Sequence, residues 1–117
     1  MKRDWDLIRQ TLLAVEAADD EERISDNDIE GCTPENFNHN TVLLTEAGLV
    51  HAMILPNLKT TMVGSLTWEG HEFLDSIRDD VTWDNIKRVA KEKNIALSFA
   101  SIKAIENHFL RTIIASL

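Results

Sequence analysis

Apolar residues recur at helical spacing near the start of the chain. Trp5, Ile8, Leu12 and Val15 form one stripe and predict a helix over residues 4–18. Asp4 suits its N-cap or first turn, where the helix dipole favours a carboxylate, and Trp5 suits a core anchor. The polar stretch 19–22 ends that helix. Residues 23–30 hold only two apolar positions, Ile24 and Ile29, so the pattern allows an irregular connection or a short edge strand. Thr33-Pro34 starts a second helix, because threonine caps and proline tolerates the first helical position. It should run to about Ala47, with Gly48 just past its end. Phe37, Thr41, Leu44 and Ala47 fall inward with Asn40 beside them, and Glu35, Asn38, His39, Val42 and Glu46 fall outward.

After Gly48 the period changes to two. Residues 49–55 read as a strand with Leu49, His51, Met53 and Leu55 on one face. A turn at 56–60 and a returning strand at 61–67, with Met62, Gly64 and Leu66 on one face, complete a β-hairpin. Thr67 or a neighbour caps a short helix holding Phe73, Leu74 and Ile77, which Asp79-Asp80 ends. Thr82 opens the next helix, with Trp83, Ile86, Val89 and Ala90 inward and Asn94 as its stop. A last helix runs from about Ser98. Its stripe is Ile102, Ile105, Phe109, Ile113 and Leu117, broadened by Leu110 and Ile114.

This order predicts an α+β, winged-helix-like domain: helices, a β-hairpin wing and additional C-terminal helices. A chain of 117 residues suits a single domain. Within it, residues 1–80 form the winged-helix-like core and 81–117 a helical extension. Leu43-Leu44-Thr45-Glu46-Ala47-Gly48-Leu49-Val50 has the make-up of a recognition helix turning at once into a wing strand: a leucine pair packs the helix and glycine reverses the chain. Three stretches add a specific resemblance. Met1-Lys2-Arg3-Asp4-Trp5-Asp6-Leu7-Ile8-Arg9, Glu46-Ala47-Gly48-Leu49 and Leu66-Thr67-Trp68-Glu69-Gly70-His71-Glu72-Phe73-Leu74-Asp75, followed by Arg78-Asp79-Asp80 and Trp83, resemble domain-of-unknown-function family 2513. The resemblance spans nearly the whole chain. It implies a winged-helix-like fold in a bacterial protein of a kind often carried on phages and mobile elements, and it implies no activity. Members often carry a Tyr-His pair before Ala-Gly-Leu, and here those positions read His39-Asn40.

Charge changes the picture. Residues 1–18 and 47–117 are each balanced, so the whole net charge of −8 falls in residues 19–46. There Asp19, Asp20, Glu21, Glu22, Asp26, Asp28, Glu30, Glu35 and Glu46 stand against Arg23 alone. Such a run is ordinarily a solvated face, and its sharper meaning is a surface for a basic partner. DNA binding needs Lys and Arg against phosphate, and the candidate recognition helix has neither. Asn38 and His39 suit base edges but have no phosphate contacts to hold their register. The expected partner is therefore a protein, met through Asp19, Asp20, Glu21, Glu22, Glu35, Asn38, His39, Val42 and Glu46. A basic, nucleic-acid-binding surface of a host enzyme is one such target. DNA is the disfavoured alternative.

No catalytic or metal constellation stands out, and no cofactor is expected. His71-Glu72 begins like a zinc-protease motif, but Asp75 occupies the place of its second histidine. His71 then reads as a structural or surface residue, and His51 and His108 as core or boundary histidines. Cys32 lies just before a helix cap, where a thiol pKa can fall, but no base adjoins it in sequence. With Cys32 alone there is no internal disulfide, consistent with a reducing cytoplasm. No run of about 18 apolar residues predicts a membrane span, and carboxylates directly behind Lys2-Arg3 do not suit a signal peptide. The stripe Ile102, Ile105, Phe109 and Ile113 must be buried, either in its own chain or against a second copy in a homodimer.

Overall fold

A computed structural model describes residues 1–55 and 60–117. The expected turn at 56–60 therefore lies, but for its last residue, outside the described residues. The fold is α+β, with five helices and one two-stranded antiparallel sheet among the described residues. Contacts group the chain into Met1–Leu74 and Asp75–Leu117, a division that runs through one helix.

In the first unit, helix α1 spans Trp5–Ala17. The Asp4 carboxylate accepts from the Leu7 N–H at 3.0 Å, satisfying one of the free donors of the first turn. Leu7, Ile8, Thr11, Leu12 and Val15 are buried, so the stripe is wider than its four expected members. Trp5 is only half-buried. Its ring stands edge-on to Phe73 at 6.0 Å, and the Arg3 guanidinium lies 4.9 Å from its centre.

Residues 23–30 form the irregular connection, with one strand-like contact in place of an edge strand. Ile24 forms a single antiparallel bridge with Val63, each N–H donating to the other's carbonyl at 2.9 Å. A one-turn 3-10 helix follows at Asp26–Asp28. Helix α2 spans Pro34–Glu46, capped by Thr33 Oγ1, which accepts from the Asn36 N–H at 3.2 Å. Gly48 takes a positive φ of 76°, the left-handed turn that ends the helix. Phe37, Asn40, Thr41 and Leu44 are buried. Ala47, expected inward, is exposed, because it caps the helix where the chain leaves the core.

Strands β1 (Val50–Leu55) and β2 (Thr60–Leu66) pair antiparallel. The expected faces are corrected here. In β1, Val50 is buried and Ala52 half-buried, while His51 and Met53 are exposed; Leu49 is buried ahead of the strand. In β2 the inward residues are Thr61, Val63 and Leu66, with Met62 half-buried. The reason is a β-bulge. His51 pairs with Ser65 but Ala52 pairs with Val63, so Gly64 is an extra residue. Strict alternation would put Val63 and Leu66 on opposite faces, and one inserted residue returns both to the core.

Helix α3 spans Trp68–Ile77. In the second unit, helices α4 (Asp80–Glu92) and α5 (Phe99–Ala115) pack together. The Asp79 carboxylate caps α4 by accepting from the Thr82 N–H at 2.9 Å, so it begins a helix as well as following one. Trp83, Ile86 and Ala90 are buried and Val89 is half-buried. At its end Asn94 is left-handed (φ 55°), with Ile95 N–H donating to Ala90 O at 2.8 Å. Ser98 caps α5, accepting from the Ser101 N–H at 3.0 Å.

Candidate interaction surface

The acidic segment is an ordered turn held against the sheet. The Glu22 N–H donates to Asp19 O at 2.9 Å, closing a tight turn, and Asp19, Asp20, Glu21 and Glu22 are all exposed. Two residues later the Ile24–Val63 bridge fixes the chain, with the Ile24 side chain buried. Between them lies Arg23, the only cation of residues 19–46. Its Nη1 donates to the carbonyls of Glu22 at 3.1 Å and Asp20 at 3.3 Å. Its guanidinium lies over Gly64, where an added Cβ would sit 3.3 Å from Cζ and Nε. Arg23 thus brackets the turn through main-chain carbonyls, and among the described residues it forms no ion pair with the carboxylates around it.

Beside this turn the outer face of the hairpin forms a cleft of about 270 Å³. Asp20, Arg23, His51, Ala52, Met53, Gly64 and Ser65 line it. Sequence reasoning selected Asp20 but missed the rest, because Arg23 and Gly64 meet only through the bulge. Met53 is 55% exposed there and adds an apolar wall.

The α2 residues fare unequally. Glu35 and Glu46 are exposed, as an outward face requires. Asn38, His39 and Val42 are half-buried, so that face is narrower than the helical wheel predicts. The His39 Nε2 atom is itself buried, with no hydrogen-bond partner among the described residues, and so is Thr41 Oγ1. Asn40 is fully engaged in structure: its Oδ1 accepts from the Asp4 N–H at 2.8 Å and its Nδ2 donates to Asn36 O at 2.9 Å. No α2 residue lines the cleft beside the acidic turn.

Other candidates resolve as structure or as bare surface. The Cys32 thiol lies beside a smaller cleft, of about 150 Å³, with Asp4, Asp6, Glu30 and Asn36. Burial pushes its pKa up, the nearby Asp26 carboxylate adds to this, and the Phe37 N–H only partly offsets both. That is the reverse of what a nucleophilic thiol needs. His71 is exposed. His51 and His108 are exposed too, correcting their placement in the core or its boundary; the His108 ring meets Phe109 edge-on at 6.0 Å. Among the described residues no three His, Cys, Asp or Glu side chains are grouped to hold a metal ion, and no helix is long and apolar enough to cross a membrane.

The long motif around Thr67 also has a structural account. Thr67 Oγ1 accepts from the Gly70 N–H at 3.0 Å, capping α3, and donates to Gly48 O at 2.5 Å. The Thr67 N–H donates to Leu49 O at 3.0 Å. Residues 46–49 and 66–75 are therefore two halves of one joint, in which the turn after α2 is fastened to the start of α3. Trp68 stands outside it, 75% exposed.

The family model described as "Hypothetical protein (DUF2513)" matches residues 2–96. An "Uncharacterized protein" of Haemophilus influenzae is 34% identical over an alignment of 118 residues that covers 98% of this chain and all of that relative. No solved structure matches the chain significantly.

Proposed function

The chain belongs to the DUF2513 family, and from that premise we propose that it is a non-enzymatic regulatory module that binds a basic protein surface through its acidic turn. One observation carries this reading. The only cation within residues 19–46 is spent on its own main chain, so the carboxylates of Asp19, Asp20, Glu21 and Glu22 face solvent unneutralised. A fixed array of like charges speeds encounter with an opposite surface and selects against acidic ones. A protein surface that otherwise receives nucleic acid has the required sign. Glu35 and Glu46 extend the same field on α2.

The test is fluorescence anisotropy with a labelled oligolysine peptide as the probe. Binding should weaken as salt rises. The variant with Asp19, Asp20, Glu21 and Glu22 all replaced by serine should lose affinity by about tenfold or more. Equal affinity of variant and parent would refute the reading.

A second reading is a winged-helix DNA-binding regulator in the cytoplasm, and the element order favours it. Helix α1, the Ile24 bridge, a 3-10 turn, α2 and the β1–β2 hairpin follow one another as in a winged helix, with the 3-10 turn standing where a middle helix would be. Against it, α2 carries Glu35 and Glu46 and no Lys or Arg for phosphate. Mixed-sequence duplex DNA at low salt decides: tight binding there would favour this reading over the protein partner.

A further inference from the structure

The expected dimer stripe divides in two. Ile102 and Ile105 are buried in the α4–α5 unit, and Phe109 is half-buried. Leu110, Ile113, Ile114 and Leu117 are instead 46%, 59%, 58% and 98% exposed. Phe99 and Ile95, at the start of α5 and just before it, are 37% and 43% exposed. Exposed apolar residues grouped in this way along one helix mark an interaction surface. Its spacing is specific: positions 99, 103, 106, 110, 113 and 117 alternate steps of four and three, the repeat that lays one helix along another. Two of the six are charged and opposite in sign, Lys103 and Glu106.

We propose that this seam is a two-fold interface in which α5 pairs antiparallel with α5 of a second copy, Lys103 of each facing Glu106 of the other. In an antiparallel pair, residues at one level have numbers that add to a constant total. The total that sets Lys103 against Glu106 also sets Phe99 against Leu110. At these two levels exposed apolar residues meet and each charge meets its opposite, while Ile113 and Leu117 reach past the first residue of the partner helix. A two-fold interface demands such self-complementarity, since one patch must supply both halves. The charges are available for it. Lys103 Nζ donates to Ser76 Oγ at 2.6 Å, which uses one of three hydrogens, and Glu106 has no hydrogen bond or ion pair among the described residues. The family match ends at residue 96, ahead of α5, so the seam lies outside the matched segment. The inference is independent of the acidic-turn reading.

Sedimentation velocity on the full chain tests it. The parent should sediment as twice the 13.3 kDa chain mass. Leu110→Glu with Ile114→Glu should give the 13.3 kDa species with unchanged circular dichroism. Glu106→Lys, which leaves the Lys103–Ser76 bond untouched, should also dissociate the dimer, and adding Lys103→Glu should restore it. A parent that stays at 13.3 kDa up to its solubility limit overturns the proposal and leaves the seam to another occupant. A dimer that survives the double glutamate variant places the interface elsewhere, and failure of the charge swap to restore it overturns the pairing.

Discussion

Gly70 lies so close to the main chain of Leu49 that a Cβ on it would stand 2.0 Å from the Leu49 carbonyl oxygen. No side chain fits there, and the obstacle is backbone, which cannot turn aside. In an unconstrained helix, Gly→Ala would stabilise by about 1 kcal/mol. Here Gly70→Ala should reverse that sign and destabilise by about 1–3 kcal/mol through overpacking. Urea unfolding followed by tryptophan fluorescence measures it; a variant as stable as the parent would show that α3 does not rest on Leu49.

Gly64 makes the opposite case. Its Cβ would meet only the end of the Arg23 side chain, at 3.3 Å, and a side chain can give by a few tenths of an ångström where a backbone cannot. Gly64→Ala should therefore stay within about 0.5 kcal/mol of the parent. Arg23→Ala, which removes both carbonyl contacts of the acidic turn, should speed amide exchange at Glu22 and Ile24 while leaving α4 and α5 protected. Unchanged exchange at Glu22 and Ile24 would mean that the Ile24–Val63 bridge alone holds the turn.

Asn40 joins the start of α1 to α2 and is 2% exposed. Asn40→Leu keeps the volume but leaves the Asp4 N–H without its acceptor. The expected cost is about 1–3 kcal/mol, read as a lower urea midpoint. A neutral result would mean that water replaces the side chain at the Asp4 N–H.

Cys32 has a raised pKa, so the folded chain holds the thiol proton to higher pH than the unfolded chain. Between the two values the folded state binds more protons, and stability must fall as pH rises through and above the ordinary thiol range. Cys32→Ser should flatten that slope. Iodoacetamide should label Cys32 in the folded protein more slowly at neutral pH than a free cysteine peptide.

Where a signal was local, the sequence sufficed. Asp4, Thr33 and Ser98 cap helices because a short oxygen-bearing side chain meets the free N–H groups of its own first turn, within three residues. Gly48 and Asn94 end helices because they tolerate a positive φ. The α+β class and the family followed from these signals and from the long motifs. The charge map is likewise a property of the sequence: every acidic residue of the candidate surface was countable before the fold was known.

Tertiary structure decided what depends on partners distant in the chain. The bulge at Gly64 exists only in the pairing of β2 with β1, and it turns Val63 and Leu66 together to the core, where strict alternation groups Leu66 with Met62 and Gly64. It also set Gly64 under Arg23, turning the one cation of the acidic segment into a bracket. The α5 stripe has one helical period throughout, yet its first part is buried and its last part is not, because amphipathic spacing says which residues share a face and not how far the covering element extends. Periodicity is set by the backbone within a few residues, whereas burial is set by whatever packs against it.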